Sequence, residues 1–556
     1  MSVTASPSTN PAVATTGDRR FPGPLVALFA LLVIANLLPI WAANRFPSQN
    51  GPWFLSTVRM FRDMDQEGTR FAEYFVRSWH PIPHMLHHTL ILGVSSVTSL
   101  PTAEKIVLSL HVLLMPLSLL LFVRTVAPGR TGIGLLGFLM IFTYPFMRGY
   151  HNFSLSIPLY FLTLTYWLRV RTLEPIPLKH WVGLAAMTVL VYLSHLLAFG
   201  LLFGTIGWYE LVTERRPVRA TLRAIGVTWA GWLLFLDYEW ITRTQAQWIN
   251  KEDTLWMPFH WNLQYFFERY FYSVSPVAFV AAVIGWSCLL ALIVTSFRTR
   301  SDSNAHPLRT IFSTPFASLA VLLAVAYLTM PYKFLGWHKV SVRLVPFIIG
   351  LTLASAAFAI PPQAWRRWRY PFLGMVTLAS LTVATGIGLK VAEIGRVIDT
   401  YVAGTQHMEP GSRFLPIHLS NPAYGNVRPF TRVYEHYLID TGSVHGGSIA
   451  WMNTLAIVWY RRYPISLDFP VLPDQGLPLL RSLPTDDEMA NTLAEYDYAL
   501  VMGHDDKLFD QIARCGFQLE FENELVHLFR ASPTGDSVKT PNVKDTLTTE
   551  ADVSNE

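Results

Sequence analysis

The sequence predicts a mainly α, polytopic bundle of about eleven transmembrane helices closed by a C-terminal α/β domain. Three observations carry this. Of the 556 residues, 51% are hydrophobic and 15% charged, against about 25% charged in soluble globular chains. Apolar runs such as 24–44 and 106–126 stay free of charge until their ends, and each supplies the roughly 20 residues that cross a bilayer core. The 18 Trp, 22 Tyr and 35 Phe gather at the ends of such runs, as interfacial belts do.

Taken in order, residues 1–20 are small and polar and read as a disordered tail. The first apolar run is too long for a signal peptide and lacks a small-residue cleavage site, so it reads as a retained signal anchor. The expected spans are 24–44, 106–126, 131–147, 153–170, 181–194, 196–213, 220–238, 273–297, 308–330, 341–360 and 371–391. Segment 85–100 is short for a span, contains several polar residues and suits an interfacial or re-entrant helix. Segment 181–213 is too long for one span and is expected to turn at Ser194–His195.

Charge supports both decisions together. With them, Arg19/Arg20, Arg124/Arg130, Arg169/Arg171/Lys179, Arg215/Arg216/Arg219/Arg223, Arg298/Arg300 and Arg366/Arg367/Arg369 all fall on the cytoplasmic side. The membrane domain is then 21–391, with an inside N-terminus and external loops at 45–105 and 239–272. An extracytoplasmic α/β domain follows over 392–532. Its 498–503 and 517–531 read as strands and 505–514 as a helix. Residues 533–556 are polar and acidic and read as a disordered tail.

Composition also excludes classes. The net charge of +5 is small for this length, and no basic domain with interleaved aromatics appears, which argues against a nucleic-acid partner. Cys288 lies in an apolar run and Cys515 in the C-terminal domain, so neither a disulfide nor a cysteine metal framework follows.

Cations on the external side run against the topology rule and so are informative. Arg59, Arg62, Arg70 and Arg77 lie in the first loop, Arg148 and His151 in the next external turn, and Lys333, Lys339 and Arg343 before the tenth span. An anionic partner explains them, because guanidinium groups clamp phosphate; snorkelling to lipid headgroups is the plainer alternative. Arg343 stands inside the helix-forming run 341–353, where an ionisable side chain is a functional candidate. The first loop also holds Asp63, Asp65, Glu67 and Glu73, which can serve as proton acceptors or as partners of the neighbouring arginines. His80, His84, His87 and His88 form the densest histidine group. With His84 and His88 one helical turn apart, they offer part of a metal site but lack a Cys or HExxH partner. His195, at the apex of a helical hairpin, can bind an external ligand or cap the turn.

The segments 50-NGPWF-54, 74-YFVRSWHPIP-83, 150-YHNFSLSIPL-159, 193-LSHLLAF-199, 336-GWHKVSVRLVPF-347 and 496-YDYALVMG-503, in this order, resemble the GT-C superfamily of integral membrane glycosyltransferases, in particular bacterial members. The resemblance covers most of 24–530. It implies an inner-membrane enzyme that transfers a sugar from a polyprenyl-phosphate donor to an envelope glycan, glycolipid or protein, with membrane lipids around it. It implies no organic cofactor and leaves a divalent cation and the oligomeric state open. Arg77, Arg148, Lys333 and Arg343 would contact donor phosphate, with His80, His151 and His195 beside them. The family's first-loop aspartate is replaced by Asn50, whose amide cannot take a proton. Asp63 or Asp65 would then be the base, or the chain binds a lipid-linked glycan without turning it over. A transporter of an anionic or lipid-linked solute is the third reading.

Overall fold

The computed structural model describes residues 22–78, 80–173, 175–245, 254–298, 314–334, 337–446, 457–460, 480 and 483–532. Helix α1 (Gly23–Trp41) opens the bundle. The first loop follows as α2 (Gly51–Arg62), α3 (Phe71–Tyr74), β1 (Phe75–Arg77) and α4 (Leu86–Val94). Nine residues of α4 are far too few to span a bilayer. The bundle continues with α5 (Leu100–Val126), a 3-10 segment Thr131–Met140, α6 (Tyr144–Met147), α7 (His151–Val170), α8 (Leu178–Ser194), α9 (Leu196–Glu214) and α10 (Pro217–Gln245). After α11 (Phe259–Gln264) come α12 (Pro276–Arg298), α13 (Pro315–Thr329), the hairpin β2 (Lys333–Phe334) and β3 (Trp337–His338), and α14 (Val345–Ala359). Helix α15 (Pro362–Val402) then runs unbroken across the expected boundary at 391/392.

Helices stand at all the expected span positions; the beginning of 308–330 lies outside the described residues, as do the two expected disordered tails. Among the described residues, five helical segments are long and apolar enough to cross a membrane: Gly23–Trp41, Leu100–Val126, Leu196–Glu214, Ser341–Ala359 and Pro362–His407. Four shorter apolar segments, including Leu178–Ser194 and Pro276–Ala291, stand beside them. The 181–213 run breaks at His195, whose φ of −166° and ψ of 126° are extended between two helices. One apolar core runs through the bundle, from Leu32 on α1 through Leu119, Tyr160 and Phe347 to Ile387 on α15. The outer faces of α1, α10 and α15 leave Leu38, Leu233 and Leu389 exposed, as lipid-facing helices do.

The C-terminal region holds β4 (Phe414–His418), α16 (Glu435–Thr441), β5 (Val458–Tyr460), α17 (Asp486–Leu493), β6 (Tyr498–Met502), α18 (Asp506–Arg514), β7 (Phe517–Glu522) and β8 (Val526–Ala531). Four of these strands form a sheet in the order β4-β6-β8-β7, with β4 and β6 parallel and the rest antiparallel. A Thr485 capping box with Glu488 starts α17, and Asp505 caps α18.

This region is built into the first loop. Strand β1 pairs with β5, Val76 opposite Trp459, and a second apolar core joins Leu55, Val58, Phe71 and Phe75 to Leu438, Val444 and Val458. Buried Arg432 lies over the Trp53 ring at 4.1 Å from its centroid. The first loop is therefore a folded layer between the bundle and the C-terminal sheet.

Candidate functional site

The site starts where α2 starts. Pro52 occupies the first turn of α2, where its missing N–H costs nothing. Asn50 stands at the cap position without a side-chain capping bond; its backbone N–H donates to the Arg148 carbonyl at 3.1 Å, and Gln49 N–H donates to Met147 at 3.1 Å. The loop thus lies against the α6–α7 turn, backbone to backbone. Gly149 makes this approach feasible: its φ is +85°, and a Cβ there would stand 2.6 Å from the Gly51 nitrogen.

That turn carries Tyr144, Arg148 and Tyr150. The Arg148 guanidinium donates to both phenol oxygens, to Tyr150 at 2.9 Å, and lies 5.6 and 5.7 Å from the two ring centroids. Lys339, at the end of the β2–β3 hairpin, reaches the same rings. Its ammonium donates to the Tyr144 hydroxyl and sits 4.5 Å from the Tyr144 centroid and 5.9 Å from that of Tyr150. Arg343, from the 3-10 turn Ser341–Leu344 that precedes α14, lies 5.7 Å from the Tyr150 centroid. Two tyrosines therefore hold three cations together.

The electrostatics favour an anion. Lys339 is buried, and burial pushes its ammonium well below the ordinary lysine range; Arg148, Arg343 and Arg269, all of like charge, push in the same direction. Its backbone is also unusual, with a φ of +61° that a residue bearing a Cβ rarely adopts. His84 shares that trait at +79° and stands on the other side of the site. Its ring meets that of His195 edge-on at 4.5 Å. Burial, then Arg343 and His88, hold His84 down to about 3, and burial, then His84 and Arg343, hold His195 well below its ordinary value. The His195 Nδ1 accepts the Leu197 N–H at 3.1 Å and caps α9, which assigns the ring proton to Nε2. That Nε2 is buried without a hydrogen-bond partner.

Behind Tyr150 lies a row of imidazoles. His151 and His87 have ring centroids 4.9 Å apart, and His87 and His88 are 6.1 Å apart. The His87 backbone N–H donates to Asn152 Oδ1 at 2.8 Å, and Ser194 Oγ donates to the Asn152 carbonyl at 2.8 Å, so one asparagine on α7 ties α4 to the end of α8. Among the described residues, no three His, Cys, Asp or Glu side chains converge so as to hold a metal ion.

Of the residues singled out from the sequence, Asn50, Arg148, His151, His195 and Arg343 meet here, and Lys339 joins them. Lys333 lies next to them on β2, paired with His338. Four others make their contacts elsewhere. Arg77 donates to Asp65 at 2.6 Å and to the Phe61 carbonyl at 2.7 Å. Asp63 accepts from Arg62 at 2.9 and 2.8 Å and also from Arg59. His80 stacks on Trp459 at 5.9 Å, with its Nδ1 3.9 Å from Asp237. Tyr144 and Tyr150 were not legible as site residues; their only sequence trace is that tyrosines flank Arg148, four residues before it and two after.

No protein-family model and no curated protein sequence matches the chain. Solved structures do. ArnT from Cupriavidus metallidurans in the apo state superposes with a TM-score of 0.53 at 13% identity, covering 92% of this chain and 99% of that one. The same protein bound to undecaprenyl phosphate gives 0.54 at 12% identity, covering 92% and 98%. The arabinofuranosyltransferase AftD from Mycobacteria, at a TM-score of 0.46 and 13% identity, covers 91% of this chain and 40% of its own. The two ArnT superpositions show that the chain shares the overall fold of ArnT. The arrangement of first loop, bundle and C-terminal α/β region is the one that the sequence motifs resemble.

Proposed function

We propose that this chain is a membrane glycosyltransferase that moves a sugar from a polyprenyl-phosphate donor to an envelope glycan, glycolipid or protein at the outer face of the bacterial inner membrane. The observation that carries this reading is the set of Arg148, Lys339 and Arg343 around Tyr144 and Tyr150. Cations held among aromatic rings in a protected setting repel one another until an anion arrives, and a phosphate answers that need. ArnT, of the same fold, has been seen with undecaprenyl phosphate bound, which supports a lipid phosphate as the ligand class.

In this reading the three cations do two things. They bind the donor's phosphate, and they stabilise the charge that builds on it as the bond to sugar C1 breaks, which is where fixed positive groups accelerate a reaction. The His195 Nε2–H offers a further donor on the Arg343 side. The basic clusters gathered at the opposite ends of the helices support an outside position for the first loop, the α8–α9 turn and the C-terminal region in this reading. A silent binder of the same lipid is the second reading, favoured by Asn50 at the position of the family's aspartate.

The test uses purified full-length protein, undecaprenyl phosphate and a panel of polyprenyl-phosphate pentoses and hexoses. The transferase reading expects phosphate binding that Arg343→Ala weakens, together with turnover of at least one donor. Binding without turnover of any donor moves the chain to the silent reading, and absence of binding refutes both.

A further inference from the structure

Helix α15 carries one stripe that changes character along its length. Leu378, Thr382, Leu389, Glu393, Arg396 and Thr400 are spaced by three, four or seven residues and so share one face. The first part faces lipid. Leu378 is 67% and Leu389 69% exposed, and the Thr382 hydroxyl donates to the Leu378 carbonyl of its own helix at 2.8 Å, so it needs no water. From Leu378 to Leu389 the helix rises about 16 Å, the depth of one hydrocarbon leaflet. Beyond Leu389 the same stripe runs into a cavity of ≈ 460 Å³, within the roughly 300–1,000 Å³ that small-ligand sites occupy. Val397 and Leu525 give it an apolar lining, and Glu393, Arg396, Thr400 and Glu524 a polar one. Glu524 and Leu525 belong to the β7–β8 turn, which Asn523 fastens to α15 by donating to the Thr400 carbonyl at 2.9 Å.

Depth and charge both describe what fits. Glu393 and Arg396 stand about 6 and 10 Å along the axis beyond Leu389. A bilayer adds about 5–8 Å of headgroup on each side of its hydrocarbon, so the cavity opens at headgroup depth. Glu393 is answered by Lys390, whose ammonium donates to it at 2.6 Å. Arg396 and Glu524 are both exposed, and among the described residues neither forms an ion pair; the Arg396 Nε reaches only the Ala392 carbonyl of its own helix, at 3.4 Å. A guanidinium and a carboxylate thus line one cavity from two elements without meeting. The ligand that satisfies both carries a phosphate for Arg396 and an N–H cation for Glu524. Because the two pairs of opposite charges in and beside the cavity cancel, that ligand is a zwitterion.

We propose that this cavity binds the headgroup of a phospholipid that carries a primary ammonium beside its phosphate, with an acyl chain lying along the Leu378–Leu389 stripe. The phosphate meets Arg396, and the ammonium meets Glu524 with Glu393 beside it. A glycerol headgroup offers Glu524 no cation, and a choline headgroup offers a cation without an N–H to donate. The site is separate from the cation cluster at Tyr144 and does not depend on the transferase reading. A lipid seated there touches both α15 and the β7–β8 turn beside the Asn523–Thr400 bond, so its binding stabilises the attachment of the C-terminal sheet to the last helix of the bundle.

The experiment titrates purified full-length protein in detergent with dioleoyl phosphatidylethanolamine, phosphatidylcholine and phosphatidylglycerol, and with free phosphoethanolamine. Kd is read by native mass spectrometry and stabilisation by Tm. Wild type is expected to bind phosphatidylethanolamine at least about tenfold more tightly than the other two lipids and to show a matching rise in Tm. Arg396→Met is expected to weaken that binding about tenfold or more, the size of one charge-assisted contact. Glu524→Gln is expected to remove the preference over phosphatidylglycerol. Both variants are expected to bind undecaprenyl phosphate as wild type does. Equal binding of the three lipids overturns the proposal, as does a preference that survives both variants. Free phosphoethanolamine binding as tightly as the lipid overturns the lipid as the source of the headgroup. A parallel loss of undecaprenyl phosphate binding overturns the separation from the cation cluster. Should either variant not fold, Glu524→Lys in the exposed turn decides: a preference turned towards phosphatidylglycerol supports the proposal, and a retained preference for phosphatidylethanolamine overturns it.

Discussion

Replacing Lys339 by Met should move stability and ligand affinity in opposite directions. The substitution keeps a long apolar stem against Tyr144 and Tyr150 and removes only the charge. Lys339 and Arg148 lie 4.5 and 5.6 Å from the same Tyr144 centroid, so their charges are at most about 10 Å apart. At an effective dielectric near 20, two like charges at that separation repel by about 1.7 kcal/mol, and Arg343 adds a term of similar size. The ligand-free protein should therefore gain about 2–3 kcal/mol, offset in part by the lost hydrogen bond to the Tyr144 hydroxyl. A charge-assisted contact to phosphate contributes about 1.5–3 kcal/mol, so affinity for undecaprenyl phosphate should fall about 10- to 150-fold. The assay is a thermal scan in detergent with and without the lipid, together with a competition measurement of Kd. A higher Tm without ligand and a smaller ligand-induced rise are expected. A lower Tm with unchanged Kd would show that Lys339 is structural, and the anion site would lose its central member.

Three further outcomes can be measured. Gly149→Ala should cost more than about 2 kcal/mol and abolish lipid binding, since its Cβ meets the Gly51 nitrogen at 2.6 Å on a backbone with φ +85°; a wild-type melting curve would refute the close approach. Arg432→Met should lower stability by about 2 kcal/mol through loss of the cation over Trp53 and of the bond to the Tyr434 hydroxyl, read as a lower Tm and faster proteolysis of the C-terminal region; unchanged protease kinetics would show that the contact does not hold the two layers together. Lowering pH should destabilise the fold. Burial, then neighbouring cations, hold His84 and His418 down to about 3, and burial, then Arg45, lowers His436. All three favour the neutral ring when folded, so stability is level above the unfolded histidine value near 6.5. It falls as pH drops towards 3, by about 1.4 kcal/mol per group per pH unit. A Tm in detergent that does not fall between pH 6.5 and 5.5 would contradict this.

The parts of this architecture that follow from local pattern were legible in the sequence. A run of apolar residues too long for one span forced the break at His195, and the extended backbone there is that break. Segment 85–100 lacked the length to cross, and it is the nine-residue α4. The site was legible only in fragments, because its geometry is made by distant partners. Tyr144 and Lys339 are 195 positions apart and share one hydrogen bond that no periodicity announces. Pairing of β1 with β5 joins residues near 76 and 459, beyond the reach of any hairpin signal.

Helix α15 has a mechanical consequence. Its 41 residues rise about 60 Å, roughly twice the hydrocarbon thickness of a bilayer. Asn523, in the turn before β8, donates to the Thr400 carbonyl near its far end at 2.9 Å, and Tyr437 on α16 donates to the Tyr401 carbonyl at 2.9 Å. Together they make the helix a rod clamped at its C-terminal end. The C-terminal sheet cannot tilt against the bundle without bending that rod or carrying it along. A change in bilayer thickness or lateral pressure that tips the last span would thus be delivered as a lever motion to the first loop, which the C-terminal layer grips through β1, and from there to the backbone beneath Asn50.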